Sequence, residues 1–418
     1  MVLEQNDHPG GRLFSFKDNI TSDIIDNAQH LMTGAYAETI SILKELGTEH
    51  LISYQDDFKV RFRNIKDHDI LDSSVFPGRL GILAGLMKLK NIGFGSKIRI
   101  SKLFSKLLFN FKLSENITVH DFLQKQGQTK ESIEWFWEPL TLATLNSGIH
   151  TAPAELLVTV LKKAFFSSPE NSRLVFPDHT LESLLRPFPE WLRRFNGQAV
   201  FSRKITSVSI KDMKIRAIYS GNEEYKADKY IFAIPPDRLY RILPWNIRQR
   251  EFFSALDMIR YSPIISIYLW LDIPFPDIDL SAMIGTRSQW VFNRTKICKN
   301  TIFDDSKYKG RITITISNAK ELMKESSEDL ESLCWKEVKQ LFPEIQNAHL
   351  LHSRTIKIKN ATIEQTPSTF GILPEQKTSI SNLFLAGDHT KTGLPATIEA
   401  AALSGKLAAN LIIDEYQQ

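Results

Sequence analysis

Near its C-terminus the sequence runs Asn382-Leu-Phe-Leu-Ala-Gly387-Asp388-His-Thr-Lys-Thr-Gly393-Leu-Pro395-Ala396-Thr397-Ile398-Glu399-Ala-Ala-Ala-Leu-Ser-Gly405. The apolar start, the Gly387-Asp388 turn, the Gly393/Pro395 loop and the small residues predict a short buried strand that feeds a long helix. Such a helix start offers bare backbone N–H groups and the positive end of a dipole to an anion. A flavin dinucleotide can use that arrangement at its phosphates and at the electron-rich edge of its ring. Gly387 and Gly393 allow close backbone approach. Asp388 is placed to bind hydroxyl groups or to cap the loop. Pro395, Ala396, Thr397 and Ile398 lead into the helix, and Ala400, Ala401, Ala402, Ser404 and Gly405 permit tight packing on a sheet.

The other end of the chain supplies candidates of a matching kind. Val2-Leu3-Glu4 has the pattern of a strand end, where a dinucleotide fold keeps an acidic residue for a ribose hydroxyl. Pro9-Gly10-Gly11-Arg12 is a turn that brings backbone toward a ligand, with Arg12 facing a phosphate or a ring. Taken alone it is an ordinary surface turn with a solvated arginine. Asp26-Asn27-Ala28-Gln29-His30 is polar yet lies between apolar stretches. His30 could donate a proton at a substrate oxygen, or be a satisfied structural histidine. Trp135, Phe136, Trp137, Trp270 and Trp290 are core candidates, and rings among them could stabilise a carbocation.

These residues need elements to hold them. Asp26–Tyr36 leads into an amphipathic helix with Ile40, Leu43 and Leu46 inward and Gly47 as its C-cap. Arg79–Lys90 and Ser96–Lys112 mix apolar and basic residues. They predict either a helix lying on a membrane surface or a pair of core helices with a solvated basic face. Trp135–Phe166 is mostly helical, with breaks at Pro139 and Pro153. Ile205–Ile210 and Lys214–Tyr219 form a hairpin, Tyr230–Pro236 is a buried strand stopped by prolines, and Ile264–Leu271 and Arg311–Ser317 are strands. Asp329–Phe342 is a helix. Helix-rich and strand-rich blocks alternate, the pattern of two domains threaded through each other.

Composition bounds the rest. The 418 residues carry a net charge of only +4, too small and too evenly spread for a nucleic-acid partner. The two cysteines, Cys298 and Cys334, belong to no CxxC pair or Cys/His cluster, so no disulfide framework and no metal site is expected. Met1-Val-Leu-Glu-Gln has neither a basic nor an apolar leader region, and no apolar run approaches the ~20 residues of a membrane span. A cytoplasmic protein follows, with any membrane contact peripheral and on the inner face. Gly-x-Ser-x-Gly, HExxH and Walker A patterns are all missing, which leaves hydrolase and nucleotidase readings unsupported.

With Gly10-Gly11-Arg12, Phe232-Ala-Ile-Pro-Pro236 and Ala386-Gly-Asp388…Pro395-Ala-Thr-Ile-Glu399 in order, the chain resembles the flavin amine oxidase and phytoene desaturase superfamily. Asp26–Tyr36, Trp137-Glu-Pro-Leu140, Leu145-Asn146, Gln289-Trp-Val-Phe292 and Thr392–Thr397 make it most similar to the hydroxysqualene dehydroxylases within it. The resemblance covers nearly the whole chain. It departs at one place. Family members open with a strand, a GxGxxG turn and a helix, whereas Met1 here falls inside the second strand, so the reading frame is expected to continue upstream.

The resemblance implies an α/β (α+β composite) fold. A Rossmann-like FAD-binding domain, N-terminally truncated, would comprise residues 1–45, 175–240 and 360–418. A helix-and-sheet substrate domain would comprise 46–174 and 241–359. It implies FAD as cofactor, held by Glu4, Gly10, Gly11, Arg12, Gly387, Asp388, Gly393, Pro395, Ala396, Thr397 and Ile398. It also implies an isoprenoid lipid substrate, reductively dehydroxylated from hydroxysqualene to squalene. The catalytic candidates are His30 as proton donor and Glu399 as a weaker one. Alternatives are a carotenoid desaturase of the phytoene type, and a lipid-binding or scaffold protein that has lost flavin binding.

Overall fold

A computed structural model describes residues 1–76, 78–109, 111, 113, 116–298 and 307–417. The elements that position the site are strands β1 (Val2–Leu3), β2 (Lys59–Arg63), β3 (His68–Asp72), β4 (Ala199–Val200), β5 (Tyr230–Phe232), β6 (Tyr261–Leu271), β7 (Leu280–Met283), β8 (Trp290–Asn293), β9 (Gly310–Ile316), β10 (Leu350–Ile363) and β11 (Leu383–Leu385). With them stand helices α1 (Ala37–Leu46), α2 (Gly78–Lys88), α3 (Phe94–Leu108), α4 (Ser327–Leu341) and α5 (Ile398–Gln417).

Besides β7 with β2 inside the large sheet, two pairs of strands run parallel: β1 with β4, and β5 with β11. Parallel pairing needs a crossover, and here the crossovers are large. Between β1 and β4 the chain builds α1, α2 and α3, and between β5 and β11 it builds most of a seven-stranded sheet ordered β10-β6-β9-β8-β7-β2-β3. That is how the fold comes to be an interleaved α/β composite. The four strands of those two pairs lie within 1–45, 175–240 and 360–418. The strand Leu174–Pro177 spans 174/175, and β10 spans 359/360. Pairing is continuous through 174/175, whereas β10 shifts register against β6 between Ile358 and Thr362.

The large sheet has two distinct faces. Ile265, Ile267, Leu269 and Leu271 of β6 and Ile312, Ile314 and Ile316 of β9 pack against Leu330, Cys334, Val338 and Leu341 of α4. α4 begins on Ser326, whose side chain accepts from the Asp329 N–H, an N-cap. The alternate residues, Ser266, Tyr268, Trp270, Thr313 and Thr315, point to the inner face. There Trp290 and Phe292 of β8 stand opposite Thr315 and Thr313 and join a second core with Phe62, Ala282, Trp137 and the buried side of α3.

That side of α3 is Ile100, Leu103, Phe104 and Leu107, each buried, and burying a side chain of this size stabilises by roughly 1.5–3 kcal/mol. The core-helix half of the expectation for this stretch therefore describes one face of α3. Asn110 and Lys112 of the stretch lie outside the described residues. α1 ends on Gly47 at φ 73°, the left-handed C-cap that glycine takes without strain. Pro139 does not break its helix. It sits just inside Glu138–Leu145, after a wide turn at Ile133–Trp137 that loosens the hydrogen-bond ladder where the proline lacks its N–H.

Candidate functional site

The site begins where the two ends of the sequence meet. Gly10 and Gly11 have φ of 107° and 59°, and a Cβ on Gly10 would stand 2.8 Å from the Leu13 carbonyl oxygen. This left-handed turn delivers Arg12, whose Nη2 lies 2.6 Å from Asp388 Oδ1 while Nη1 donates to the Ala361 carbonyl at 2.6 Å. Asp388 is buried, and the turn that presents it requires Gly387 at φ 127°, since a Cβ there would fall 2.6 Å from the His389 ring. The Gly387 N–H is anchored to Ser404 Oγ of α5 at 2.7 Å. Glu4 follows β1 and accepts from the Asn6 N–H at 2.8 Å. No hydrogen bond or ion pair among the described residues joins it to the Arg12–Asp388 pair.

Around this junction several buried polar atoms have no protein partner. They are Asn27 Oδ1, Gln29 Oε1, His30 Nε2 and His389 Nε2. Burial pushes the pKa of His389 down to about 4, the nearby Arg12 charge pushing the same way and Asp388 opposing it. His30 is half-buried as a residue, but its Nε2 is fully enclosed. Burial and then the Arg12 charge take its pKa down to about 4. Both rings are therefore neutral near pH 7. Sequence reasoning missed His389, since it sits among the polar residues Asp388, Thr390, Lys391 and Thr392 with no local signal.

At the start of α5, the Ile398 and Glu399 N–H groups have no acceptor among the described residues, as expected of a helix N-terminus. Thr397 Oγ1 caps the next one, accepting from the Ala400 N–H at 3.3 Å. Gln365, fully buried, holds the approach by accepting from the Ala396 N–H at 2.8 Å and donating to the Leu394 carbonyl at 3.3 Å. Glu399 faces elsewhere. Its carboxylate accepts from the Glu38 N–H at 3.0 Å, the Thr39 N–H at 2.9 Å and Thr39 Oγ1 at 2.8 Å. Tyr36, the residue before α1, offers no side-chain cap, and Glu399 supplies the acceptor instead. Both its oxygens are engaged in holding α1. The Tyr36 phenol stands beside Thr397 and Glu399, its pKa pushed up to about 12 chiefly by burial.

The segment between Arg12 and His30 is pinned to the inner face of the large sheet. Asp23 Oδ2 accepts from Arg311 Nε and Trp270 Nε1, each at 2.6 Å, in a pair almost wholly enclosed. Tyr268 Oη donates to the Asp26 carbonyl at 2.8 Å. Burial raises the Asp26 pKa, opposed by the Arg294 charge and by bonds from Ser15 Oγ and the Leu181 N–H. Further along the same face, the hydroxyls of Ser266 and Thr315, directly opposite each other, are buried without a partner. Sequence reasoning missed Asp23, Ser266 and Thr315, since each sits in a strand-like run with no local signal.

Among the described residues no group of three or more His, Cys, Asp or Glu side chains is placed to hold a metal ion, and no helix is long and apolar enough to cross a membrane. The residues present fit a flavin. Its ring presents hydrogen-bond donors and acceptors together, which the orphaned atoms of Asn27, Gln29 and His389 can meet, and its electron-rich edge suits the open α5 N-terminus.

Comparison with known proteins points the same way. The sequence profile of the flavin containing amine oxidoreductases matches residues 1–413. A 15-cis-phytoene desaturase of Synechococcus elongatus is 25% identical over 443 residues, spanning 100% of this chain and 92% of that protein. A hydroxysqualene dehydroxylase of Zymomonas mobilis is 22% identical over 422 residues, spanning 99% and 92%. Among solved structures, an oxidoreductase from Methanosarcina mazei superposes with a TM-score of 0.74 at 14% identity, covering 99% of this chain and 93% of that one. Cyclohexylamine oxidase from Brevibacterium oxydans gives 0.68 at 12% identity, covering 100% and 94%.

Proposed function

The chain belongs to the family of flavin-containing amine oxidoreductases and is a FAD-dependent oxidoreductase; from this we propose that it acts on a long isoprenoid and reductively dehydroxylates hydroxysqualene to squalene. The Zymomonas mobilis relative is a hydroxysqualene dehydroxylase, and the phytoene desaturases give equally extensive matches. The observation that favours the dehydroxylase is the set of partnerless polar atoms in the apolar interior. A hydrocarbon would leave His30 Nε2, Ser266 Oγ and Thr315 Oγ1 unpaired, at roughly 1–3 kcal/mol each, whereas an alcohol can bond to them.

When bound and reduced, FAD supplies the hydride. The substrate's C–O bond would break, its oxygen leaving with a proton as water, and that hydride would form the new C–H bond. The chain's residues supply the rest. His30 is the donor at the leaving oxygen. Rings of the apolar interior, Trp290 and Phe292 among them, would stabilise the allylic cation. Arg12 and Asp388 hold the turn that faces the cofactor.

The match to the cyanobacterial phytoene desaturase supports a second reading, removal of hydride from a polyene precursor. Incubation with FAD, a reducing system and hydroxysqualene should yield squalene by gas chromatography–mass spectrometry. Desaturation of phytoene with a quinone acceptor, alongside untouched hydroxysqualene, would establish the second reading in place of the first.

A further inference from the structure

We propose that the cleft between α3 and Gln126 binds the headgroup of an anionic phospholipid, with Phe94, Ile98 and Phe109 entering the acyl boundary beside it. The inference rests on the reading that the substrate resides in a bilayer.

The cleft encloses about 450 Å³ and is lined by Gly95, Ile98, Arg99, Lys102, Lys106 and Gln126 among others, with no carboxylate among its lining residues. Its three cations are held differently. Arg99 Nη1 donates to the Gly127 carbonyl at 3.0 Å and Lys106 Nζ to Gln126 Oε1 at 2.9 Å, which fixes both side chains at the rim. Lys102 has no hydrogen-bond or ion-pair partner among the described residues. Glu131 is bonded to the Gly93 N–H and Ser96 Oγ at the start of α3.

What surrounds the cleft selects a bilayer over a soluble phosphate. Phe94, Ile98, Lys102 and Lys106 are spaced i, i+4 along α3, so they form one row that starts apolar and ends basic. Phe94 is 68% exposed, Ile98 48% and Phe109 79%, although the opposite side of the helix is fully buried in the core. An ordinary surface helix is polar where it leaves the core. This one shows a second apolar stripe to solvent, flanked by cations, the arrangement that lies at a headgroup boundary. α2 extends the stripe with Leu80 and Met87, and Lys97 Nζ ties the two helices by donating to the Met87 carbonyl at 3.0 Å.

The test uses the full chain loaded with FAD and phosphatidylcholine vesicles with or without equimolar phosphatidylglycerol. A basic side chain near an anionic surface contributes about one factor of five. Lys102→Gln/Lys106→Gln should therefore weaken sedimentation with the anionic vesicles about 30-fold and leave binding to neutral vesicles unchanged. Phe94→Ser/Phe109→Ser should weaken both. Turnover of detergent-solubilised hydroxysqualene should be unaltered in the lysine variant. Loss of that turnover in the unmodified protein would reject the proposed reaction and leave the vesicle result standing. Equal binding of the lysine variant and the unmodified protein to anionic vesicles would overturn the headgroup site. Tight calorimetric binding of glycerol 3-phosphate without vesicles, indifferent to the phenylalanine change, would overturn the lipid as its source.

Discussion

His389 shows how a single side chain ties folding to pH. Its pKa in the folded protein is about 4, below the ~6.5 of an unfolded histidine, so on acidification the unfolded chain takes the proton first. Stability is therefore lost as pH falls through 6.5 toward 4. The loss between pH 7 and 4.5 is on the order of 2–3 kcal/mol. Urea denaturation at the two pH values should show His389→Gln losing that much less than the unmodified protein, and identical losses would place the histidine outside the titrating set. His30 carries the chemical prediction. His30→Ala should lower turnover by roughly 10²–10⁴-fold, the span typical of acid–base catalysis, with the flavin absorbance retained. Colourless protein would make it a cofactor-holding residue instead. The sequence showed His30 because a polar run between apolar stretches stands out. It could not show how far the imidazole pKa would fall, since that depends first on burial and then on Arg12, which a glycine turn brings near.

The elements were more legible than their joints. β6 and β9 were evident as apolar runs rich in β-branched residues, and α4 as a periodic helix. The start of α1 was not, because its cap comes from another element. Glu399 looked like a catalytic acid near a helix start, and only the fold shows that it satisfies the Glu38 and Thr39 amides. Glu399→Ala should cost about 1–3 kcal/mol, the desolvation cost of buried donors left unmade. It should also raise hydrogen exchange at those two amides. Unchanged protection there would mean that α1 is capped by other means. Pro139 marks the opposite failure. The residues before Pro139, Trp137 and Glu138, are helical, and the wide turn at Ile133–Trp137 loosens the hydrogen-bond ladder just where the proline lacks its N–H.

For the whole molecule, alternating blocks announced two interleaved domains, while the ties between them left no trace in the pattern. The Asp23–Arg311 pair is the clearest tie. Both partners are buried, and Trp270 Nε1 adds a third group. Removing one partner strands a charge, so Arg311→Met should destabilise by about 3–5 kcal/mol. Asp23→Asn/Arg311→Met should recover part of this in chemical denaturation, and simple additivity of the two changes would show the pair to be uncoupled.

These ties also set a schedule for synthesis. Asp23 waits for a partner 288 positions later, and the Glu38 and Thr39 amides for a carboxylate 361 and 360 positions later. At roughly 5–20 residues per second, the ribosome takes about 15–70 s to deliver those partners. Throughout that interval the nascent stretch holding Ile25, Asp26 and His30 has neither its sheet nor its helix, and it is the stretch that a holdase chaperone should be found gripping.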